Sequence, residues 1–338
     1  MPLTTVSQGL LSTDAQYTGF KNRLINGDMV IDQRNNGAAV NLITSGGVGY
    51  CADRWYSENT TSGTATVQQV ADAPTGFSNS IRWTVTGTAS SIISSDSAFF
   101  QQRIEGFNSA DLSFGTANAQ TVSISFWVKS SVTGTFGGAL ANNAYSRGYS
   151  FSYTISAANT WEYKTVTITG DTTGTWVGST NGVGLRLSFA MAAGSARGST
   201  AGSWGSFVGI GASGQINLMA TNGATFQITG VQLEKGSVAT SFDVLPYTTE
   251  LALCQRYFEI LAPASVMLPW SSNSQIIRIS SSFQVTKRTN PTIDMRTKGG
   301  GTGTMGAASV STSGVTYFGS GNLGDVIEYP SPTASIEL

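Results

Sequence analysis

The sequence contains no histidine. That excludes Ser–His–Asp and Cys–His catalysis, histidine-based zinc sites and most switching near neutral pH. Charge is scarce as well: 11% of the 338 residues are charged and the net charge is −1. Such a chain offers no basic footprint for nucleic acid and no polybasic patch for a membrane surface. It also has less charge than a monomer of this size usually spreads over its surface, so part of that surface is expected to be buried against other copies. Cysteine is limited to Cys51 and Cys254. Two lone thiols cannot build a structural zinc site, and they read as free buried thiols rather than a disulfide.

No apolar run approaches the length of a membrane-spanning helix. The first residues, MPLTTVSQGLLSTDAQ, lack the basic start and apolar core of a secretory signal. The GGGTGTMG tract, Gly299 to Gly306, lacks the Lys-Ser/Thr of a phosphate cradle and reads as a flexible turn. A glycosidase needs two carboxylates across a cleft. Asp96, Glu105, Asp111, Glu162 and Asp171 are available, but no spacing singles out a pair. No enzymatic activity is expected.

What is abundant points to β structure. There are 40 glycines, many Ser and Thr, and 10% aromatics, a composition of β-branched and aromatic strands joined by Gly-rich turns. Alternation is clear in Ile81, Trp83 and Val85, in Phe100, Gln102 and Ile104, and in Val122, Ile124, Phe126 and Val128. Val166 with Ile168, and Leu185, Leu187, Phe189 and Met191, repeat it; Val208 with Ile210 and Ile216 with Leu218 suggest short additions. Eight or more strands at this spacing predict an all-β, two-sheet sandwich. A first strand is expected through Leu24, Ile25, Met29 and Ile31, pairing with the last strand around Ile228 to Leu233. The apolar phase of that last strand shifts at Gly230, the mark of a β-bulge. Two small-residue stretches, Thr133 to Ser150 and Ala192 to Ser206, read as long loops. After Pro246, Thr248 or Thr249 can cap a single helix, with Glu250 in its first turn and an apolar stripe of Leu251, Cys254, Phe258 and Leu261. Alternation resumes at Ile277, Ile279, Phe283 and Val285 and again at Ile293, Val315, Tyr317, Val326, Ile327 and Tyr329.

The predicted organisation is an attachment arm over residues 1–21, a sandwich over 22–245, a linking helix over 246–261 and a small β-domain over 262–338. The arm is polar and aperiodic; it reads either as a frayed terminus or as a docking segment.

Two paired stretches carry a family resemblance. ITGVQLEKGSVATSF followed by PYTTELALCQRYFE lies late in the chain. NRLINGDMVIDQRN (Asn22 to Asn35), then Gly49, Tyr50 and Asp53-Arg54-Trp55, lies early. Between them come SFWVKS (Ser125 to Ser130) and WEYKTVTITG (Trp161 to Gly170). This pattern resembles tailed-phage virion proteins in which a carbohydrate-binding-module-like jelly roll precedes a short C-terminal β-domain. The resemblance implies a tail-fibre or head-fibre component, made in the host cytoplasm and located in the virion. It implies a homotrimer, docking to other virion proteins through the N-terminal arm, and adsorption to host surface polysaccharide. The alternative is a purely structural connector or decoration protein that binds no sugar.

Sugar binding needs aromatic faces beside planar polar groups. Trp176 and Trp204 sit in Gly/Ser/Thr surroundings, and Tyr145 and Tyr149 flank Arg147. Each either contacts sugar or anchors its own loop. The resemblance also implies a structural Ca²⁺ near the paired terminal strands, and Asp28, Asp53 and Glu234 lie in the right segments. Ion pairs to Arg23, Arg54 or Lys235 are the competing reading, as is core packing for Trp55.

Overall fold

The computed structural model describes residues 21–43, 46–206, 209–261, 264–267, 275–294, 304–321, 326–329 and 332–338. Two compact units divide between Val244 and Leu245. The first is a β-sandwich. One sheet has the order β1 (Val40–Leu42), β4 (Thr64–Val70), β5 (Ser80–Gly87), β15 (Thr225–Lys235), β7 (Val122–Ser130) and β10 (Glu162–Ile168). The other runs β13 (Trp204–Gly205), β9 (Gly148–Ile155), β8 (Gly134–Ala141), β11 (Val183–Ala193), β6 (Ser97–Glu105), β3 (Trp55–Asn59) and β2 (Gly47–Ala52). Two short parallel strands, β12 (Gly198–Ser199) and β14 (Gly211–Ala212), pair beside them. Every pairing within the two large sheets is antiparallel.

The alternation seen in sequence is what welds the sheets. Val122, Ile124, Phe126 and Val128 of β7 are all fully buried. Across the sandwich, Trp83 meets Phe100 edge-on at 5.6 Å and Phe126 meets Phe189 at 4.9 Å. Phe226 closes on Phe136 at 5.5 Å. Burying each such side chain contributes roughly 1.5–3 kcal/mol, and edge-to-face aromatic pairs add to that. Trp55 is fully buried and donates its indole N–H to the Asn26 carbonyl at 2.8 Å, so the core-packing reading of it holds. Both thiols are free and buried.

Several expectations are corrected. Residues 22–31 are not a regular strand, because Asn26 and Met29 adopt left-handed backbone at φ 57° and 62°. Instead the segment docks on β15 irregularly. Arg23 N–H donates to the Leu233 carbonyl at 2.8 Å, and the Asn22 side chain accepts from Leu233 N–H at 3.1 Å. The bulge at Gly230 is real: the register of β15 against β7 slips between Thr229 and Gln232, with Gly230 at φ 60°. The slip frees Val231 N–H, which donates to the Gly27 carbonyl of the docked segment at 2.9 Å.

The expected loop over Thr133 to Ser150 is a hairpin, β8 and β9 joined by the turn 142–147. Its glycines are demanded by packing, not by looseness. A Cβ on Gly138 would lie 2.5 Å from the Ser188 carbonyl and 2.3 Å from the Phe151 ring. One on Gly137 would lie 2.5 Å from the Ala212 backbone nitrogen. Ile216 and Leu218 form no strand; Leu218–Ala220 is a short 3-10 turn, and Val208 falls outside the described residues.

The second unit holds the one α-helix among the described residues, α1 (Tyr247–Gln255). Pro246 takes the N-cap position, with no side-chain cap from Thr248 or Thr249, and Glu250 lies in the first turn. The helix stops before Phe258, which belongs to β16 (Phe258–Ile260), so the predicted stripe is cut after Cys254. Strands β16, β23 (Thr333–Ser335) and β19 (Thr292–Asp294) form one sheet; β17 (Ala264–Met267) pairs with β22 (Val326–Tyr329). A third comprises β18 (Gln275–Ser282), β21 (Gly314–Gly321) and β20 (Thr304–Val310). The end of the Gly299 to Gly306 tract therefore opens β20, while residues 299–303 lie outside the described residues. So do the residues of the predicted arm before Lys21.

Candidate functional site

The structure gathers three of the five predicted sugar-contact residues at one end of the sandwich. Trp176 and Trp204 stand nearly perpendicular with ring centres 5.5 Å apart. Tyr149, the cross-strand partner of Trp204, lies edge-on to it at 5.5 Å. Phe114 fills the angle, at 5.0 Å from Trp176 and 5.6 Å from Trp204. Both indole N–H groups are spent on backbone: Trp176 on the Thr173 carbonyl at 3.1 Å, Trp204 on the Thr169 carbonyl at 2.6 Å. Arg147 sits close by but grips Asp171 through two hydrogen bonds of 2.8 and 2.7 Å. Burial alone would raise the Asp171 pKa, yet Arg147 and Thr173 hold it below the ordinary carboxylate value. Rings that meet edge to face, with their polar atoms already bonded, make a plug that fastens loops. A cavity of about 320 Å³ opens beside it, lined by Ser109, Ser113, Thr116 and one side of Trp176.

Tyr145, the fifth residue, belongs elsewhere. Left-handed backbone at φ 54° turns it back over Ala139 and Ala141 onto the outer face of the seven-stranded sheet. Register aligns a row across that face: Ala139 opposite Ser188, Ser188 opposite Gln101, Gln101 opposite Tyr56 and Tyr56 opposite Tyr50. Gln101 is the hub and is fully buried. Its amide donates to the Tyr145 hydroxyl at 2.9 Å and to Ser188 Oγ at 2.8 Å. Its carbonyl accepts from Arg103 Nε and from Arg186 Nη1, each at 3.2 Å.

Each arginine lies over a tyrosine. The Arg103 guanidinium is 5.1 Å from the Tyr56 ring centre, and that of Arg186 is 4.8 Å from Tyr145. Arg34 stacks similarly over Tyr50 at 4.5 Å. Tyr56 donates its hydroxyl to Glu58 at 2.8 Å, and burial with that carboxylate raises its pKa. Burial lowers the Arg186 pKa, and the charge of Arg103 adds to the effect. Planar amide and guanidinium groups interleaved with half-buried tyrosines are what hydroxyl-rich rings require: flat apolar faces beside bidentate hydrogen-bonding edges.

Of this face, sequence reasoning found only Tyr145. The signal lay in the outward residues of the strands it did find: Phe99, Gln101 and Arg103 alternate with the core residues of β6, as Arg186 and Ser188 do in β11. Their convergence needs the register.

The predicted calcium ligands are not brought together. Asp53 is buried and pairs with Arg34 at 3.4 Å, with Gln33 also donating to it. Glu234 is consumed in fastening the returning segment, accepting from Thr240 N–H at 2.8 Å, Thr240 Oγ1 at 2.7 Å and Gln232 at 2.8 Å. Asp28 has its pKa raised by burial, and its Oδ1 has no hydrogen-bond partner. Among the described residues no three Asp, Glu or Cys side chains stand close enough to share an ion. Three of the carboxylates considered for catalysis also sit in local contacts: Asp111 with Arg23, Glu162 with Lys164 and Asp171 with Arg147.

No model of a known family matches the sequence, and no curated protein matches it. Solved structures similar to the chain include the enzymatically active domain of bacteriophage CBA120 tailspike protein 4, 14% identical with a TM-score of 0.33. That match covers 64% of this chain but only 21% of the tailspike domain. A family 11 carbohydrate-binding module from Clostridium thermocellum, solved with a mixed-linked tetrasaccharide, is 14% identical with a TM-score of 0.30, over 55% of this chain and 91% of the module. A family 4 carbohydrate-binding module matches at 15% identity and a TM-score of 0.28, over 62% of this chain and 98% of the module. Likenesses this low do not bear on function, which is read from the residues of this chain.

Proposed function

We propose that the chain is a phage virion fibre component that holds host-surface glycan on the outer face of its seven-stranded sheet, without catalysis. The observation that carries the binding reading is Gln101: a buried amide whose four hydrogen bonds fix Arg103, Arg186, Tyr145 and Ser188 in one array. Stiff, pre-arranged polar edges beside aromatic rings lose little freedom when a sugar arrives, which favours affinity. The low charge supports a homo-oligomer and the sequence resemblance a trimer, in which three copies on a virion would multiply weak single-site contacts into firm adsorption. The phage assignment rests on the sequence resemblance, as does attachment through the N-terminal arm.

The test is a glycan array probed with the purified chain and with Tyr56→Ala and Gln101→Leu variants. Binding by the parent that both variants lose supports the reading. A folded, oligomeric parent that binds nothing hands the role to a purely structural connector or decoration protein.

A further inference from the structure

The outer sheet face carries an electrostatic conflict. Arg103 and Arg186 are direct cross-strand partners in the antiparallel β6/β11 pair. Like charges placed directly opposite one another disfavour a sheet, and here both guanidiniums are tied to the same oxygen of Gln101. The contacts of Arg186 are all uncharged apart from that repulsion: Gln101 Oε1, Asn143 Oδ1 at 2.7 Å and the Tyr145 ring. No carboxylate lies within ion-pair distance of it among the described residues. Its Nε is buried without a hydrogen-bond partner. Glu58, on the same face, accepts from the Tyr56 hydroxyl, and Glu105 follows Arg103 by two positions on β6. In a chain with only 18 basic residues, two of them are set side by side over a half-buried floor.

We infer that this face takes an acidic glycan, with the carboxylate of a uronic acid residue seated between Arg103 and Arg186. A guanidinium fork matches a carboxylate in shape and charge, and an anion there turns the repulsion between the arginines into shared attraction. The tyrosines beside them are placed to meet the ring that bears the carboxylate. This inference rests on the glycan reading above and names its ligand class.

The test compares full-length protein binding to polygalacturonate, to its methyl ester and to the neutral glucan laminarin, with free galacturonate and glucose as small probes in thermal-shift assays. Expected is at least tenfold tighter binding to the acid polymer than to its ester. Galacturonate should raise the melting temperature where glucose does not. Arg186→Met should lose both effects, and Arg186→Lys, which keeps the charge but not the fork, should retain part of them. Acid-polymer binding that is equal in Arg186→Met is nonspecific and overturns the inference. Preference for laminarin or the ester also overturns it while leaving the glycan reading intact. A galacturonate shift lost in Arg186→Met, without binding to any polymer, upholds the anion seat and sinks the glycan reading. No response to any probe sinks both.

Discussion

The ammonium of Lys287 lies 2.5 Å from the carboxylate of Glu259, and neither side chain reaches water. Lys287 also donates to the Gln255 carbonyl at the end of α1. The pair thus ties helix, β16 and the segment after β18 into one small unit. Burial lowers the Lys287 pKa, and Glu259 opposes that shift. Removing one partner leaves the other charge stranded. Lys287→Met is expected to destabilise the second unit by about 3–5 kcal/mol, whereas the double change Lys287→Met with Glu259→Leu should restore much of that loss. Urea unfolding of the three proteins measures it; a single variant as stable as the parent counts against the buried pair.

The plug at the end of the sandwich makes a contrasting prediction. Trp204 packs on Tyr149, Trp176 and Phe114, so Trp204→Ala should cost about 2–4 kcal/mol of stability, a little less than for a fully buried tryptophan. Glycan binding, read on the array, should be unchanged. Lost binding with unchanged stability would move the site from the sheet face to this cluster.

Acid should weaken the same end. Asp171 is held below the ordinary carboxylate value in the folded chain, so near its unfolded pKa the unfolded chain binds more protons. Its contribution is therefore present above about pH 4 and fades as pH falls through the lower folded value. Asp171→Asn should be less stable than the parent at pH 6, with the gap narrowing towards pH 3. A gap independent of pH in urea titrations would show that the charge of Asp171 contributes nothing.

Gly138 has no room for a methyl group between the Ser188 carbonyl and Phe151. Gly138→Ala should force β8 and β11 apart or displace the ring, at about 1–3 kcal/mol. Thermal unfolding of the variant checks this, and an unchanged melting temperature would refute the close approach.

The thiols give an inexpensive check on burial. Cys51 is fully enclosed, and burial pushes its pKa up to about 12. Cys254 is equally enclosed. Neither should react with a disulfide-exchange reagent at pH 8 until the chain is denatured, when two thiols should titrate.

The sandwich was legible because its core strands alternate plainly: Val122 to Val128 and Leu185 to Met191 announce both their conformation and their inward face. The Gly230 bulge showed itself as a break in that phase. The β8–β9 hairpin did not, because GTFGGALA is small for reasons that lie in other strands, at Ser188, Phe151 and Ala212. The N-terminal segment misled in the opposite sense. Its apolar spacing is strand-like, but Asn26 and Met29 bend it, and Asn26 supplies through its side chain the bonds to Ile31 and Asp53 that a neighbouring strand would have made. At the candidate site, residue types were visible and neighbours were not. Arg103 and Arg186 are 83 positions apart, and only the register of β6 on β11 sets one against the other. Trp176 and Trp204 looked like binding residues because their surroundings are small and polar, yet those surroundings are what let the rings pack on each other.

The docking of residues 22–31 on β15 has a consequence for how this protein is made. The bond between Asn22 and Leu233 spans 211 positions, and Val231 meets Gly27 across nearly as many. A ribosome releases the early partner long before the late one exists. Until β15 emerges, β5 and β7 lack the strand that lies between them, and the N-terminal segment has nothing to lie on. Closure of the first unit is thus a late event in synthesis, slow by the nature of such distant pairing. Chains truncated before about residue 235 should accumulate as open sheets prone to aggregation.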